Sequence, residues 1–176
     1  MKGFFVVFGG IDKLGKTTVA EIVCEKLGYR YMKFPNPDSY SGKQLRLILQ
    51  GKLPFEAASF QALNFVDKLL TPVTGKVIGD RYTESAEVYG KSDGLPEEWV
   101  DKLNSLLQVP DLTFIFTGIP FSTDNEHYDA NEKVVQGYKE YLEKYKDNER
   151  VIEIKANRPI EEVVSEVISY IKKFDC

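Results

Sequence analysis

Residues 8–17 of the chain read Phe-Gly-Gly-Ile-Asp-Lys-Leu-Gly-Lys-Thr. Within this stretch Gly10 and Gly15 stand five positions apart and are followed at once by a lysine and a hydroxyl residue, which is the pattern of a phosphate-binding loop. Glycines permit backbone angles that are closed to other residues, so successive amides can turn inward around an anion. Lys16 would then reach the outer phosphates of a nucleotide, and the Thr17 hydroxyl would bind magnesium.

The residues on either side of the loop predict the secondary structure that such a loop requires. The apolar run Phe4–Phe8 predicts a buried strand before the loop. Apolar residues recur at helical spacing after it and predict a helix over Lys16–Leu27. A loop placed between a strand and a helix can present both its amides and the positive end of the helix to a phosphate.

The same alternation of short apolar runs and helical patterns continues to the end of the chain. Four more strands are predicted at Tyr29–Phe34, Lys76–Gly79, Leu112–Phe116 and Val151–Ile154. Helices are predicted at Gly42–Gln50, Phe55–Leu70, Pro96–Leu107 and Ala130–Lys146, and after Pro159. This order predicts an α/β fold, a five-stranded parallel sheet flanked by helices, as a single domain over residues 1–176. The polar stretch after the fourth strand predicts a short lid at about residues 117–130.

Composition narrows the class of protein. A chain of 176 residues with 43% hydrophobic content suffices for one buried core. The net charge of -4 argues against a nucleic-acid surface. No apolar run is long enough to cross a membrane and no secretion leader is present, so we expect a cytoplasmic protein, with a nuclear location left open.

Cysteine and histidine are too sparse for a metal or redox site. Cys24 and Cys176 lack the paired spacing of metal or redox motifs. His127 has no second histidine beside it, and we expect it to be an exposed loop residue.

A second polar group follows the predicted strand at Lys76–Gly79. Asp80, Arg81 and Tyr82 stand where parallel-sheet proteins bind their ligands. Asp80 is expected to hold magnesium, directly or through water, and the alternative is that it caps the start of a helix. Arg81 is expected to hold a second phosphate.

These motifs resemble those of the thymidylate kinase family in order and spacing over residues 4–170. The similar segments are Phe8-x-Gly10-x-Asp12-x-x-Gly15-Lys16-Thr17, Phe34-Pro35 with Gly42, Asp80-Arg81-Tyr82-x-x-Ser85, and Pro110-Asp111-Leu112-Thr113. The resemblance implies the P-loop NTPase fold, ATP and Mg²⁺ as cofactors, phosphoryl transfer to dTMP, and a homodimer.

The resemblance also implies roles for single residues. Asp12 would bind the sugar 3′-hydroxyl of dTMP, Arg81 would clamp its phosphate, and Phe60 would stack on thymine, although Phe60 could instead be an ordinary core aromatic. The implied nucleotide contacts are Gly10, Asp12, Gly15, Lys16, Thr17, Thr18 and Arg158. The implied substrate contacts are Asp12, Phe34, Phe60, Asn64, Arg81, Ser85 and Tyr89, and the metal ligands are Thr17 and Asp80.

The chain departs from the family pattern at several positions. The family arginine that follows Phe-Pro is missing, the glutamate between Phe8 and Gly10 is Gly9, and Asn64 stands in place of the base-contacting arginine. Lys33, Lys43 or Arg46 is expected to replace the missing phosphate clamp. No arginine lies between Tyr82 and Glu149, so the lid cannot supply one.

Some members of the family carry the catalytic cation in the phosphate loop and others in the lid, so the resemblance implies the phosphate loop for this chain. Lys13 in the loop is assigned to this role, against the alternative of a solvated lysine, and Lys16 and Arg81 complete the catalytic set. Arg158 would either stack on adenine or be a solvated charge.

Other functions remain open on the sequence alone. A deoxynucleoside kinase would need a general base, for which Asp12 and Glu84 are the candidates. A nucleoside monophosphate kinase of other base preference and a catalytically weakened nucleotide-binding protein are further alternatives. A GTPase-like switch ranks last, because the guanine-reading Asn-Lys-x-Asp motif does not occur.

Overall fold

Strand β1 (Phe4–Gly10) is buried along its whole length in the computed structural model, which describes residues 3–121 and 132–175. Its side chains alternate between two apolar clusters, with Phe4, Val6 and Phe8 on one face of the sheet and Phe5 and Val7 on the other. Because both faces are covered, the strand reads as a continuous apolar run and not as an alternating one.

The remaining elements alternate along the chain. They are α1 (Lys16–Leu27), β2 (Arg30–Lys33), α2 (Tyr40–Leu49), α3 (Ala57–Leu69), β3 (Lys76–Asp80), α4 (Thr83–Ser92), α5 (Glu97–Asn104), β4 (Leu112–Thr117), α6 (Glu132–Lys144), β5 (Val151–Lys155) and α7 (Ile160–Phe174). The five strands form one parallel sheet in the order β2-β3-β1-β4-β5. The predicted α/β class and parallel sheet are confirmed.

The strand order determines where a ligand site can form. Strand β1 lies at the centre with β3 beside it, and Phe8 of β1 is in register with Asp80 of β3. The carboxyl ends of the two strands therefore meet at one edge of the sheet. That edge brings the glycine-rich loop and the segment after Asp80 together.

Helix α4 is absent from the elements predicted from the sequence. Its buried face carries Glu84, Ser85 and Gly90 beside Ala86 and Val88, so the apolar periodicity that marks a helix is missing. The other helix predictions are confirmed as elements: α1 has the predicted bounds, whereas α2, α3 and α5 have different ends and α6 ends at Lys144. Helix α2 begins earlier than predicted because the Ser39 side chain caps it, accepting a hydrogen bond of 2.8 Å from the amide of Gly42.

Two other predictions concern the lid and the absence of a membrane-spanning segment. Most of the expected lid at residues 117–130, together with His127, lies outside the described residues. Within residues 3–121 and 132–175, no helix has the length and apolar character needed to cross a bilayer.

Candidate active site

The loop between β1 and α1 has the backbone shape that anion binding requires. Gly10 and Gly15 adopt positive φ angles of 118° and 75°, and a side chain on Gly10 would collide with the carbonyl oxygen of Phe116 in β4. The ammonium of the buried Lys16 donates a hydrogen bond of 2.5 Å to the carbonyl oxygen of Ile11. Lys16 therefore folds back across the loop, close to the positive end of helix α1.

A cavity of about 2130 Å³, much of it open to solvent, lies over this loop. We call it the larger cavity. Its lining includes Asp12, Lys13, Gly15, Lys16, Thr17, Thr18, Asp80 and Arg81. Except for Gly10, which is not in the lining, the loop residues predicted to contact a nucleotide thus lie together with the two charged residues at the end of β3.

Asp80 is held against the phosphate loop. Its side chain is buried, and it accepts hydrogen bonds from the Thr17 hydroxyl at 3.0 Å and from the Tyr31 hydroxyl at 2.7 Å. The N-cap position before α4 is occupied by Tyr82, with no side-chain cap, so the helix-capping alternative for Asp80 finds no support.

The oxygen atoms of Thr17 and Asp80 have the chemistry of Mg²⁺ ligands. In the described part of the chain no group of three His, Cys, Asp or Glu side chains could hold a metal alone. Phosphate and water oxygens would have to complete the coordination, as Mg²⁺ prefers at nucleotide sites.

Arg81 lies where the larger cavity meets a second one. Its backbone has a positive φ of 67°, and its amide donates to the carbonyl oxygen of Phe8 at 2.9 Å. The guanidinium pairs with the Asp12 carboxylate, donates to the Tyr89 hydroxyl at 3.1 Å, and has its Cζ 5.3 Å from the centroid of the Tyr89 ring. The Ser85 hydroxyl lies at 3.5 Å. The contacts with Asp12, Tyr89 and Ser85 therefore hold the Arg81 guanidinium in the cleft.

The second cavity has a volume of about 620 Å³, including its open mouth. We call it the smaller cavity. All seven residues predicted to contact the substrate line it, namely Asp12, Phe34, Phe60, Asn64, Arg81, Ser85 and Tyr89. They come from helices α3 and α4 and from the loops that follow β1, β2 and β3, so only the fold brings them together.

Phe60 and Asn64 are the two residues of this cavity that were assigned to the base. Phe60 is half-buried and outside both apolar clusters, and its ring centroid lies 5.5 Å from that of Phe55. It is therefore not an ordinary core aromatic. Asn64 is buried, and its Oδ1 has no hydrogen-bond partner among the described residues.

Lys68 is a residue of the smaller cavity that the sequence reasoning missed. It is only 4% exposed, and its ammonium lies 5.8 Å from the centroid of the Tyr82 ring. Burial lowers the pKa of Lys68 from 10.5 to about 8, against the opposing attraction of Glu84 and Asp67. Lys68 follows Asn64 by one helical turn on α3. That spacing is the signal that could have identified it.

The cations considered as replacements for the missing phosphate clamp are not equivalent in the structure. Lys33 and Arg46 line the larger cavity, whereas Lys43 is not part of its lining. Arg158 lines neither cavity. Its guanidinium donates to the carbonyl oxygen of Lys155 at 2.9 Å and pairs with Glu166.

A glycine-rich loop holding a buried lysine, beside a second cavity reached by an arginine, defines a P-loop nucleotide kinase. The family model described as thymidylate kinase matches residues 8–167. The chain belongs to the thymidylate kinase family, which confirms the resemblance seen in its motifs.

Individual relatives agree with this assignment. The chain is 30% identical over 151 residues to a probable thymidylate kinase of Methanococcus maripaludis, covering 81% of this chain and 74% of the relative. It is 29% identical to one of Sulfolobus acidocaldarius, covering 97% of each chain. The fold is similar to that of a thymidylate kinase structure from Ehrlichia chaffeensis, with a TM-score of 0.74, 24% identity and coverage of 98% of this chain and 99% of that one.

Proposed function

We propose that this protein transfers the γ-phosphoryl group of ATP to dTMP, forming dTDP and ADP. The observation that carries the proposal is the position of Arg81, which lines both the cavity over the phosphate loop and the smaller cavity. A guanidinium at that junction can bind the phosphate of an acceptor and present it to the donor phosphates.

The donor side is assigned to the loop. Lys16 and the backbone amides around Gly15 would hold the β- and γ-phosphates, and Thr17 with Asp80 would hold Mg²⁺. When bound, Mg²⁺ neutralises phosphate charge as it builds up during transfer. We assign Lys13, which lines the larger cavity, to stabilising charge on the transferred group.

The acceptor side is assigned to the smaller cavity. Phe60 would stack on thymine, and Asn64 and Lys68 would contact polar atoms of the base. Asp12 would accept a hydrogen bond from the sugar 3′-hydroxyl and release part of its contact with Arg81, which would then bind the monophosphate.

The rival assignment as a deoxynucleoside kinase is weakened by its two candidate bases. Asp12 is already paired with Arg81 and lies 3.8 Å from the Lys16 ammonium. Glu84 is 1% exposed and lines neither cavity, so it cannot reach a sugar hydroxyl. A catalytically weakened regulator is also disfavoured, because Lys16, Asp80 and Arg81 are all in place around the cleft.

The test is a panel of acceptors with ATP and Mg²⁺. ADP formation is measured with dTMP, dUMP, dCMP, dGMP and thymidine at equal concentrations. We expect dTMP to be preferred and thymidine to be inactive. Activity with thymidine alone would support the deoxynucleoside kinase instead, and inactivity toward every pyrimidine monophosphate would refute the proposal.

We further propose that the protein forms a homodimer through helix α3 and the segment after α5. Val66 and Leu69 are exposed on α3, as is Leu70 at its C-terminal cap, and Leu106 and Val109 are exposed after α5. Burial against a second copy would remove these apolar side chains from water. Light scattering should give twice the chain mass, and Leu70→Glu should give the monomer. A monomeric wild-type protein at micromolar concentration would contradict the dimer.

A further inference from the structure

Gly9 leaves an open space at the end of β1, and a carboxylate from another element fills it. A Cβ atom at position 9 would lie 2.5 Å from Cγ and 2.8 Å from Oε1 of Glu84 in helix α4. Side chains do not approach this closely, so Glu84 can occupy its position only because residue 9 is glycine. The family pattern has a glutamate at position 9, whereas here a glutamate enters the same space from position 84.

The Glu84 carboxylate contacts the turn that carries Arg81. Its Oε1 accepts a hydrogen bond of 3.2 Å from the backbone amide of Tyr82, the residue directly after Arg81. The same oxygen accepts one of 2.6 Å from the Ser85 hydroxyl, which in turn lies 3.5 Å from the Arg81 guanidinium. One carboxylate oxygen thus supports both the backbone and the side-chain surroundings of Arg81.

The turn at Arg81 needs such support. A non-glycine residue at a φ of 67° is in a sparsely populated, strained conformation that persists only when its surroundings hold it. The Arg81 amide is held from one side by the Phe8 carbonyl. Glu84 holds the next amide from the other side.

The site of Glu84 is costly for a carboxylate. The side chain is 1% exposed, burial raises its pKa, and its Oε2 has no hydrogen-bond partner among the described residues. Lys68 and Arg81 are the cations that act on it electrostatically. A buried carboxylate retained at such a cost points to a role in the site.

We propose that Glu84 is the positioning residue of Arg81, and that it supplies from helix α4 the carboxylate that the family pattern carries at position 9. The proposal rests on the proposed function, because it assigns Arg81 to the acceptor phosphate. It makes Gly9 and Glu84 a dependent pair. Neither can change alone without moving Arg81.

The experiment combines four variants with one control. Glu84→Ala removes the carboxylate, Glu84→Gln keeps an oxygen acceptor, Gly9→Glu overfills the space, and the double variant Gly9→Glu/Glu84→Gly moves the carboxylate to position 9. Glu87→Gln is the control, because Glu87 is a partly buried glutamate on the same helix that contacts Lys144 instead of the Arg81 turn.

We expect Glu84→Ala to raise the KM for dTMP about tenfold to a hundredfold, the loss expected for a charge-assisted hydrogen bond, with the KM for ATP nearly unchanged. Glu84→Gln should recover part of this loss. Gly9→Glu should lower both the melting temperature and the activity, and the double variant should recover both above the Gly9→Glu level. Glu87→Gln should leave the ratio of the two KM values unchanged.

Two outcomes would overturn the inference. One is a Glu84→Ala variant that folds and keeps its KM for dTMP, or that changes both KM values equally. The other is a double variant no more stable than Gly9→Glu. Both differ from failure of the proposed function, which would show as wild-type protein that is inert toward dTMP.

Discussion

The carboxylate of Asp12 in the phosphate loop forms an ion pair with the guanidinium of Arg81 at the end of β3. The two side chains connect the phosphate loop to the smaller cavity, and each is assigned to bind the acceptor dTMP. Arg81→Lys keeps the charge but removes the planar fork that fits phosphate oxygens. We expect the KM for dTMP to rise about tenfold to a hundredfold while the KM for ATP changes little. Equal changes in both constants would argue against Arg81 as the acceptor clamp.

Lys13 is predicted to act on the transferred phosphoryl group. Lys13→Ala should lower kcat by about a hundredfold or more, because cations aimed at developing charge act mainly in the transition state. ATP affinity, measured by calorimetry, should stay within a few-fold. Lys26→Ala, which removes an exposed lysine in the last turn of helix α1 after the loop, is the control. Unchanged turnover in Lys13→Ala would contradict the catalytic role and favour the alternative of a solvated lysine.

Phe60 is predicted to be the stacking platform for the base. Phe60→Ala should raise the KM for dTMP by about five- to a hundredfold, since stacking of a base on an aromatic ring contributes ~1–3 kcal/mol. Phe60→Tyr should retain most of the affinity. Phe55→Ala removes the neighbouring ring, which does not line the smaller cavity, and should have the lesser effect. A larger rise in the KM for dTMP in Phe55→Ala than in Phe60→Ala would contradict the assignment of Phe60 as the stacking ring.

Asp80 is predicted to hold Mg²⁺ together with Thr17. Asp80→Asn should raise the Mg²⁺ concentration needed for half-maximal activity about tenfold or more, because the amide is a much weaker ligand for a hard cation. Tyr31→Phe deletes one hydrogen bond to Asp80 and should shift the Mg²⁺ requirement less. A magnesium titration of both variants decides the point, and an unshifted Asp80→Asn curve would contradict the assignment.

Lys68 should make stability depend on pH in the alkaline range. Its pKa falls from 10.5 to about 8 in the folded protein, so between these values the unfolded chain binds more protons than the folded one. The unfolding free energy of wild type relative to Lys68→Met should therefore rise with pH across this window, by about 1.4 kcal/mol per unit.

Urea denaturation at several pH values between 7.5 and 10 measures this difference. Lys91→Met is the matched control. Lys91 is exposed, and its pairing with Glu140 raises its pKa above 10.5, so its contribution should stay nearly constant across this window and be lost only at higher pH. A flat difference between wild type and Lys68→Met would show that Lys68 is less buried than the structure indicates.

The sequence alone determined the class of protein, the parallel sheet and most of the helices. These features depend on neighbouring residues: the phosphate loop is one contiguous motif, and each buried strand is one apolar run. Several residues that line the two cavities were also named from the sequence, because they stand just after strands or on helix α3. Helix α4 was not predicted because its buried face is largely polar. Lys68 was not predicted as a site residue because a lysine on a helix is usually exposed.

Only the tertiary structure decided how these residues act on each other. Asp12 and Arg81 are 69 positions apart, and Thr17 and Asp80 are 63 apart, so their contacts exist only because β1 and β3 are neighbours in the sheet. In the sequence, Gly9 reads only as the loss of the family glutamate. In the structure, the Glu84 side chain occupies the space beside Gly9. A carboxylate that enters from another helix can be recognised only from distances in the folded protein, because the order of residues along the chain does not give those distances.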